Sequence, residues 1–256
     1  MKRVLGILVA SCSLALAYAF IVEPQWLEIT RHRISLPISR LKIAQLSDLH
    51  ITKIGGLESR ILRALQDEAP DLIVITGDVL ADQIAIDDAR IFLRQLNAPL
   101  GVYMVDGNWD HWMRPESGLR DLAEASVTLL RNRGGKVRDD VWIVGLDDAL
   151  AGQPDVDLAF SVIPKEAVCI SIFHSPEYFS KVQGRCVLNL AGHTHGGQVS
   201  IPWYGPMWLP PGSGKYVSGF YGAPGSRLYV SRGSGTSILP LRFFSRPELA
   251  IFEIGN

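Results

Sequence analysis

The chain is short of cysteine. Its 256 residues include three, Cys12, Cys169 and Cys186, and none of them forms a pair at zinc-motif spacing, which excludes a thiolate zinc module. Cys169 and Cys186 lie in apolar runs that read as strands, so they are expected as buried free thiols rather than as a disulfide. The chain also lacks an excess of either charge. Its 25 basic and 26 acidic residues leave a net charge of −1, with no basic block or stripe, so no nucleic-acid partner is expected. Internal repeats and low-complexity tracts are absent, which excludes a solenoid. Once the atypical leader is set aside, one domain remains, long enough to bury a substantial core.

The leader is the one long hydrophobic run. Lys2 and Arg3 precede an uncharged stretch from Val4 to Val22, closed by Glu23-Pro24. A membrane-spanning helix needs about 20 apolar residues, so residues 1–22 read as a single uncleaved anchor. Ala17-Tyr18-Ala19 offers a signal-peptidase site as a second reading, and Ser11-Cys12 a weak lipoprotein signal as a third. Lys2 and Arg3 favour a cytoplasmic N-terminus, while Arg31, Arg33, Arg40 and Lys42 on the other flank pull the opposite way, which leaves the side of the domain open. Residues 23–41 read as a connecting segment and residues 42–256 as the domain.

Within that domain strand-like runs alternate with helix-like segments. Lys42–Leu46, Asp71–Ile75 and Val102–Val105 read as strands, separated by helices at Glu58–Asp67 and Asp87–Leu96, with another helix at Gly118–Ala125. Later strands are expected at Val141–Val144, Val168–Phe173, Val187–Leu190, Leu228–Ser231 and Leu249–Ile254. This order implies a layered α/β fold with mixed sheets. Polar clusters follow five of the strands: Ser47-Asp48-Leu49-His50, Thr76-Gly77-Asp78, Asp106-Gly107-Asn108-Trp109-Asp110-His111, His174-Ser175-Pro176 and Gly192-His193-Thr194-His195. Ligand sites in such sheets form beyond the carboxyl ends of the strands, so five clusters can converge on one place.

Five of the six histidines, His50, His111, His174, His193 and His195, lie in these clusters, and only His32 lies outside. A single histidine beside a strand is usually structural, but five in one constellation point to a site. Asp48 and His50 are two residues apart, as are His193 and His195, so extended backbone would turn each pair to one side. Asp78 offers a carboxylate that two metals can share, and Asn108 a neutral oxygen. Imidazole, carboxylate and amide donors together suit manganese, iron or zinc; magnesium would take fewer imidazoles.

Asp-x-His, Gly-Asp, Gly-Asn, a lone His after a strand and Gly-His-x-His, in this order, resemble the calcineurin-like metallophosphoesterases. The resemblance spans about Lys42 to Ile254. It implies a four-layer α/β/β/α sandwich of two mixed sheets. It also implies two divalent ions, manganese first with iron or zinc as alternatives. Asp48, His50, Asp78 and His195 would bind one ion; Asp78, Asn108, His174 and His193 would bind the other, with Asp78 between them. Two such ions lower the pKa of a shared water and stabilise charge on the phosphoryl oxygens. One position departs from the pattern. Many members have Gly-Asn-His, with the His assisting the leaving group, whereas this chain has Trp109. His111 is the nearby candidate for that catalytic role, with a plain hydrogen bond in the loop as its alternative. An anhydride substrate would reduce the need for an acid.

The leader with Glu23-Pro24-Gln25-Trp26-Leu27-Glu28, the motif continuing to Gly196-Gly197-Gln198, Ser231-Arg232-Gly233-Ser234-Gly235-Thr236, and Pro240-Leu241-Arg242-Phe243 through Arg246-Pro247-Glu248 are similar to a membrane-associated branch of that family. Some of its members hydrolyse UDP-2,3-diacylglucosamine in lipid A synthesis. The expected partners are therefore the inner (plasma) membrane of a bacterial-type cell and a phosphate-ester or nucleotide-linked lipid substrate. A broad phosphodiesterase or phosphatase on a soluble or envelope substrate is the alternative. A non-catalytic scaffold would be marked by lost ligands, and none is missing. Ile201 to Tyr221 carries aromatics among prolines and glycines that suit an acyl pocket, a membrane contact or a local minicore. Arg114 and Arg232 are candidate phosphate contacts.

Overall fold

The computed structural model describes residues 1–113, 127–223 and 225–255. The expected helix at Gly118–Ala125 and the candidate Arg114 therefore lie outside the described residues. Helix α1, Lys2–Ala17, continues through a π turn at Tyr18–Val22 into a 3-10 turn at Glu23–Gln25. No residue of α1 is buried against the domain, and the stretch Lys2–Gln25 is long and apolar enough to cross a membrane, with a mean hydropathy of 2.3.

Among the described residues fourteen strands follow: β1 (Glu28–Ile34), β2 (Leu41–Leu46), β3 (Leu72–Ile75), β4 (Val102–Met104), β5 (Thr128–Leu129), β6 (Arg133–Arg138), β7 (Val141–Gly145), β8 (Val168–Ile172), β9 (Leu188–Ala191), β10 (Ser200–Ile201), β11 (Gly205–Pro206), β12 (Gly219–Ala223), β13 (Ser226–Val230) and β14 (Glu248–Ile254). One six-stranded sheet runs β1-β14-β2-β3-β4-β5, the other β12-β13-β9-β8-β7-β6, and β10-β11 form a small separate hairpin. Both large sheets are mixed. Strands β2, β3, β4 and β5 are parallel, as are β7, β8, β9 and β13, with antiparallel partners outside them.

The layering follows from which faces are apolar. Ile43, Leu72, Val74 and Phe252 of the first sheet pack with Ile143, Ile170, Ile172 and Leu190 of the second in one buried cluster between the sheets. The outer face of the first sheet is covered by α2 (Gly56–Glu68) and α3 (Ile86–Leu93). Helix α2 buries Leu57, Ile61, Ala64 and Leu65, the spacing of one helical face, and ends where Ala69 turns left-handed before Pro70. The second sheet's outer face is covered by short helices at Val156–Phe160 and Phe179–Val182. The result is an α/β/β/α sandwich of two mixed sheets.

Two particulars differ from the sequence reading. The stretch expected as a connection contributes β1, which pairs in parallel with β14 from Glu28↔Glu248 to Ile34↔Ile254. Its inward face carries His32, the histidine outside the clusters. That ring packs among Phe220, Tyr229 and Phe252, with Nε2 3.0 Å from the Tyr229 hydroxyl, and burial lowers its pKa. It is a half-buried packing histidine, apart from the strand-end clusters.

The second difference is a correction: Cys169 and Cys186 are disulfide-bonded, not free thiols. Both sit in apolar runs and are buried, as expected. What the separate runs could not show is that β8 and β9 are parallel neighbours in the register Ile170↔Leu188. That register brings the two cysteines at the strand starts to a Cα–Cα distance of 4.9 Å, within disulfide range.

Candidate metal centre

The carboxyl ends of β2, β3, β4, β8 and β9 converge, and the five polar clusters meet there. Asp48, His50 and His195 bring ligand atoms within 4.8 Å of one another, and so do Asp78, His174 and His193. Asp78 lies between the two groups, with Oδ2 3.5 Å from His50 Nε2 and 3.2 Å from His174 Nε2. Asn108 Oδ1 is 3.1 Å from His174 Nε2. The groups close with His50 Nε2 3.2 Å from His195 Nε2, and His193 Nδ1 3.0 Å from His174 Nε2. All seven side chains are buried.

The backbone reaches this arrangement in an unexpected way. Asp48, His50, Asp78, His193 and His195 all have positive φ, between 41° and 73°. The two Asp/His-x-His pairs do act together, but through left-handed turns at the strand ends rather than extended backbone. Such conformations are costly for non-glycine residues and cluster at functional sites. They are held by neighbours. The Asp48 carboxylate accepts the Ser47 hydroxyl at 2.5 Å and the His193 backbone N–H at 3.0 Å. Gly107 must be glycine, because a Cβ there would collide with the Asp78 carboxylate.

The donor set fits a pair of divalent ions. His174 Nδ1 lies 2.8 Å from the Thr76 carbonyl and His193 Nε2 2.6 Å from the Pro211 carbonyl. A carbonyl can only accept, so each ring donates outward through that nitrogen and faces the site with its other nitrogen. Burial, opposed by the Asp78 charge, holds His50 at about 4. Burial, reinforced by the His174 charge, holds His193 at about 4, and burial drives His195 well below its ordinary range. These imidazoles are thus neutral, the form that ligates. Burial raises Asp48 to about 6. Burial would raise Asp78 too, but the charge and hydrogen bond of His174 prevail, with help from His50 and His193, and keep it at about 2. His174 in turn is raised well above its usual value, since Asp78 outweighs its burial. A proton on His174 supplies the positive charge that a divalent ion would replace.

A sequence model of the family described as calcineurin-like phosphoesterase matches residues 41–197. The chain belongs to that family. It is therefore a metal-dependent phosphoester hydrolase. It is 35% identical to the uncharacterized metallophosphoesterase YkuE of Bacillus subtilis, over 93% of this chain and 88% of that protein. It is 28% identical to the UDP-2,3-diacylglucosamine pyrophosphatase LpxG of Chlamydia muridarum, covering 96% of this chain and 94% of that one. The phosphodiesterase YaeI of Escherichia coli is also 28% identical, over 93% and 92%.

The other candidate residues of this phosphoesterase are placed as follows. The Trp109 and His50 rings lie perpendicular, with centroids 5.3 Å apart, and Trp109 forms part of a cavity wall. His111 is not among the residues that line that cavity, and its Nε2 is 2.8 Å from Asp147 Oδ1. Arg232 is held by Glu28 and Glu248, away from the cavity lining. Residues without a sequence-derived role also matter. Asp110 pins the backbone of both the Asp78 and Asn108 turns. Arg242, fully buried, donates from Nη1 to the Ser245 carbonyl at 2.8 Å, and the Ser245 hydroxyl donates to the His195 carbonyl at 2.6 Å. Glu23, at the base of the leader, is buried and accepts the backbone N–H groups of Phe244 and Ser245 at 2.9 and 2.5 Å. The signal for Asp110 was legible in principle: it lies three residues after Gly107, the cap position of α4 (Asn108–Trp112), and its carboxylate accepts the Gly107 N–H at 2.9 Å.

Proposed function

We propose that this phosphoesterase hydrolyses the phosphodiester or pyrophosphate bond of a lipid-tailed substrate at a membrane. A cavity of about 780 Å³ carries this reading. Asp78, Asn108, His193 and His195 form its polar end, and Trp109, Trp112, Leu150, Met207, Trp208 and Leu239 give it apolar walls. Such a space suits a phosphate at one end and acyl chains at the other.

Asp48, His50, Asp78 and His195 would hold one divalent ion, and Asp78, Asn108, His174 and His193 the second, manganese being the proposed metal. Two ions there would activate a water and draw charge from the phosphoryl oxygens. The chain's own contribution is to fix the donors and to keep bulk water from the polar end with the apolar walls. His111 is the proposed proton donor, oriented by Asp147. Because it does not itself line the cavity, it would act through a water. His111→Ala is then expected to slow hydrolysis of an alkyl phosphodiester about 100-fold, but of bis-p-nitrophenyl phosphate less than about threefold, since that leaving group needs no proton. Equal effects on the two would remove His111 from the role.

UDP-2,3-diacylglucosamine has the required parts, a pyrophosphate and two acyl chains, and the LpxG relative is named for it. A second reading, an envelope-facing lipid phosphodiester, is favoured by the disulfide. Disulfides persist in oxidising compartments, and a domain outside the cell membrane would meet one. Lys2 and Arg3 agree with that orientation. Three of the four opposing charges are paired within the folded domain: Arg31 and Lys42 with Glu68, and Arg33 with Glu253. Purified protein with manganese, assayed on UDP-2,3-diacylglucosamine and on bis-p-nitrophenyl phosphate, separates the readings. Release of UMP is the outcome expected of the first. Turnover of the diester with no UMP rejects it in favour of the second.

A further inference from the structure

The hairpin β10-β11 and the segment after Gly235 leave an unusual group of side chains in solvent. Trp203 is 104% exposed, and Tyr204 and Ile238 are each 78% exposed; Phe244 is exposed beside them. Trp203, Ile238 and Phe244 also have positive φ, at 65°, 64° and 52°. Bulky and β-branched residues rarely adopt that conformation. The backbone is thus strained at the very places where large apolar side chains point outward. No charged residue occurs between Gln198 and Gly214. Contiguous apolar surface of this kind marks an interaction site.

The base of the leader fixes what covers it. The Arg242 backbone N–H donates to the Ala19 carbonyl at 3.0 Å, and the Tyr18 ring meets Phe243 edge-on at 6.2 Å. Phe243 bridges to Val199, and its carbonyl accepts the Ser200 N–H at 2.8 Å, tying the same segment to β10. Gln198 Nε2 donates to the Ser237 and Leu239 carbonyls, closing the ring of contacts. The exposed residues therefore form one connected rim beside the end of the apolar helix. Ile238 of this rim, its neighbour Leu239 and Met207 and Trp208 after the hairpin also line the cavity at the candidate metal ligands.

We propose that the rim of Trp203, Tyr204, Ile238 and Phe244 seats in the leaflet next to the end of the N-terminal helix, so that the cavity takes its substrate from the bilayer rather than from water. The inference rests on the lipid-substrate reading above and adds a lipid surface as the rim's partner. An uncharged apolar rim with aromatic rings suits the headgroup and acyl boundary.

The test uses the full chain reconstituted into phosphatidylethanolamine–phosphatidylglycerol vesicles containing brominated phosphatidylcholine. Tryptophan quenching by the bromolipid is compared between the unmodified protein and Trp203→Phe, which preserves the ring. Loss of about a fifth or more of the quenched signal is expected, as one interfacial tryptophan is removed. With Tyr204→Ser/Phe244→Ser, turnover of a vesicle-embedded lipid phosphodiester is expected to fall about tenfold relative to soluble bis-p-nitrophenyl phosphate. Identical quenching with Trp203→Phe, or an unchanged turnover ratio with the double variant, overturns the proposal, and a protein partner would then be the occupant. Failure of the lipid-substrate reading shows separately, as hydrolysis of bis-p-nitrophenyl phosphate by the unmodified chain with no turnover of the vesicle-embedded lipid phosphodiester. The quenching measurement needs no turnover.

Discussion

Asp78→Asn is expected to reduce hydrolysis of bis-p-nitrophenyl phosphate by about ten-thousandfold or more, while the far-ultraviolet circular dichroism stays that of the folded chain. The expectation comes from the position of one atom. Asp78 Oδ2 is 3.5 Å from His50 Nε2 and 3.2 Å from His174 Nε2, so a single carboxylate faces both donor groups. An amide of the same shape keeps one oxygen but would turn an NH₂ towards one of the two proposed ions and remove a full negative charge from between the two donor groups. The oxygen Oδ1 also accepts the Trp109 N–H at 2.8 Å, a bond that the amide can retain if its oxygen faces that way. That choice would turn the NH₂ into the metal site. Metal analysis should therefore fall from two manganese ions per chain to one or fewer, in step with activity. His193→Ala should act on one group only, removing a donor whose partner is the Pro211 carbonyl. Full activity in either variant, with two ions still bound, would sink the binuclear reading.

The candidate ligands were legible because each follows an apolar run, and strand ends are where a layered α/β fold gathers polar groups. Alternating apolar runs also gave the strands of both sheet centres, from Lys42–Leu46 to Leu249–Ile254, within a residue or two. Edges were less legible. Strand β6, Arg-Gly-Gly-Lys-Val-Arg, has no apolar pattern and is held by pairing with β7. Strand β1 alternates Arg31 and Arg33 outward, which reads as a linker until β14 is known to lie beside it. The cysteine pair depends on the register of two strands, information that no local pattern holds. The bonding role of Arg242 is hidden for a similar reason: its donors serve carbonyls of Gly235 and Ser245 that only the folded loops bring together. The left-handed turns at Asp48, His50 and Asp78 were hidden as well, since nothing in their residue types requires positive φ. They persist because the site around them dictates the backbone.

The clearest instance of that dictation is Asp110, and Asp110→Ala is expected to destabilise the chain by about 3–5 kcal/mol. The carboxylate is fully buried, and accepts four backbone N–H groups. Oδ2 takes Asp78 N at 2.8 Å and Gly107 N at 2.9 Å; Oδ1 takes Val79 N at 3.0 Å and Leu80 N at 3.3 Å. These donors belong to two separate turns, after β3 and after β4, that carry Asp78 and Asn108 to the metal centre. A buried donor stripped of its acceptor costs about 1–3 kcal/mol, and water entering the gap would recover part of the sum over four. For a domain of this size the loss corresponds to a fall in Tm of about 10 °C or more. Asp110→Asn gives a sharper test. Its amide has one oxygen, so it can serve one pair of N–H groups while its NH₂ opposes the other pair, donor against donor. It should lose stability too, despite matching the carboxylate in shape. Both variants should also release the left-handed turn at Asp78, which lowers activity without touching a ligand. Addition of manganese should then raise the Tm of either variant less than that of the unmodified chain, because binding must first rebuild the turn. A Tm within about 2 °C of the unmodified chain for Asp110→Ala would mean that the four bonds do not hold the two turns.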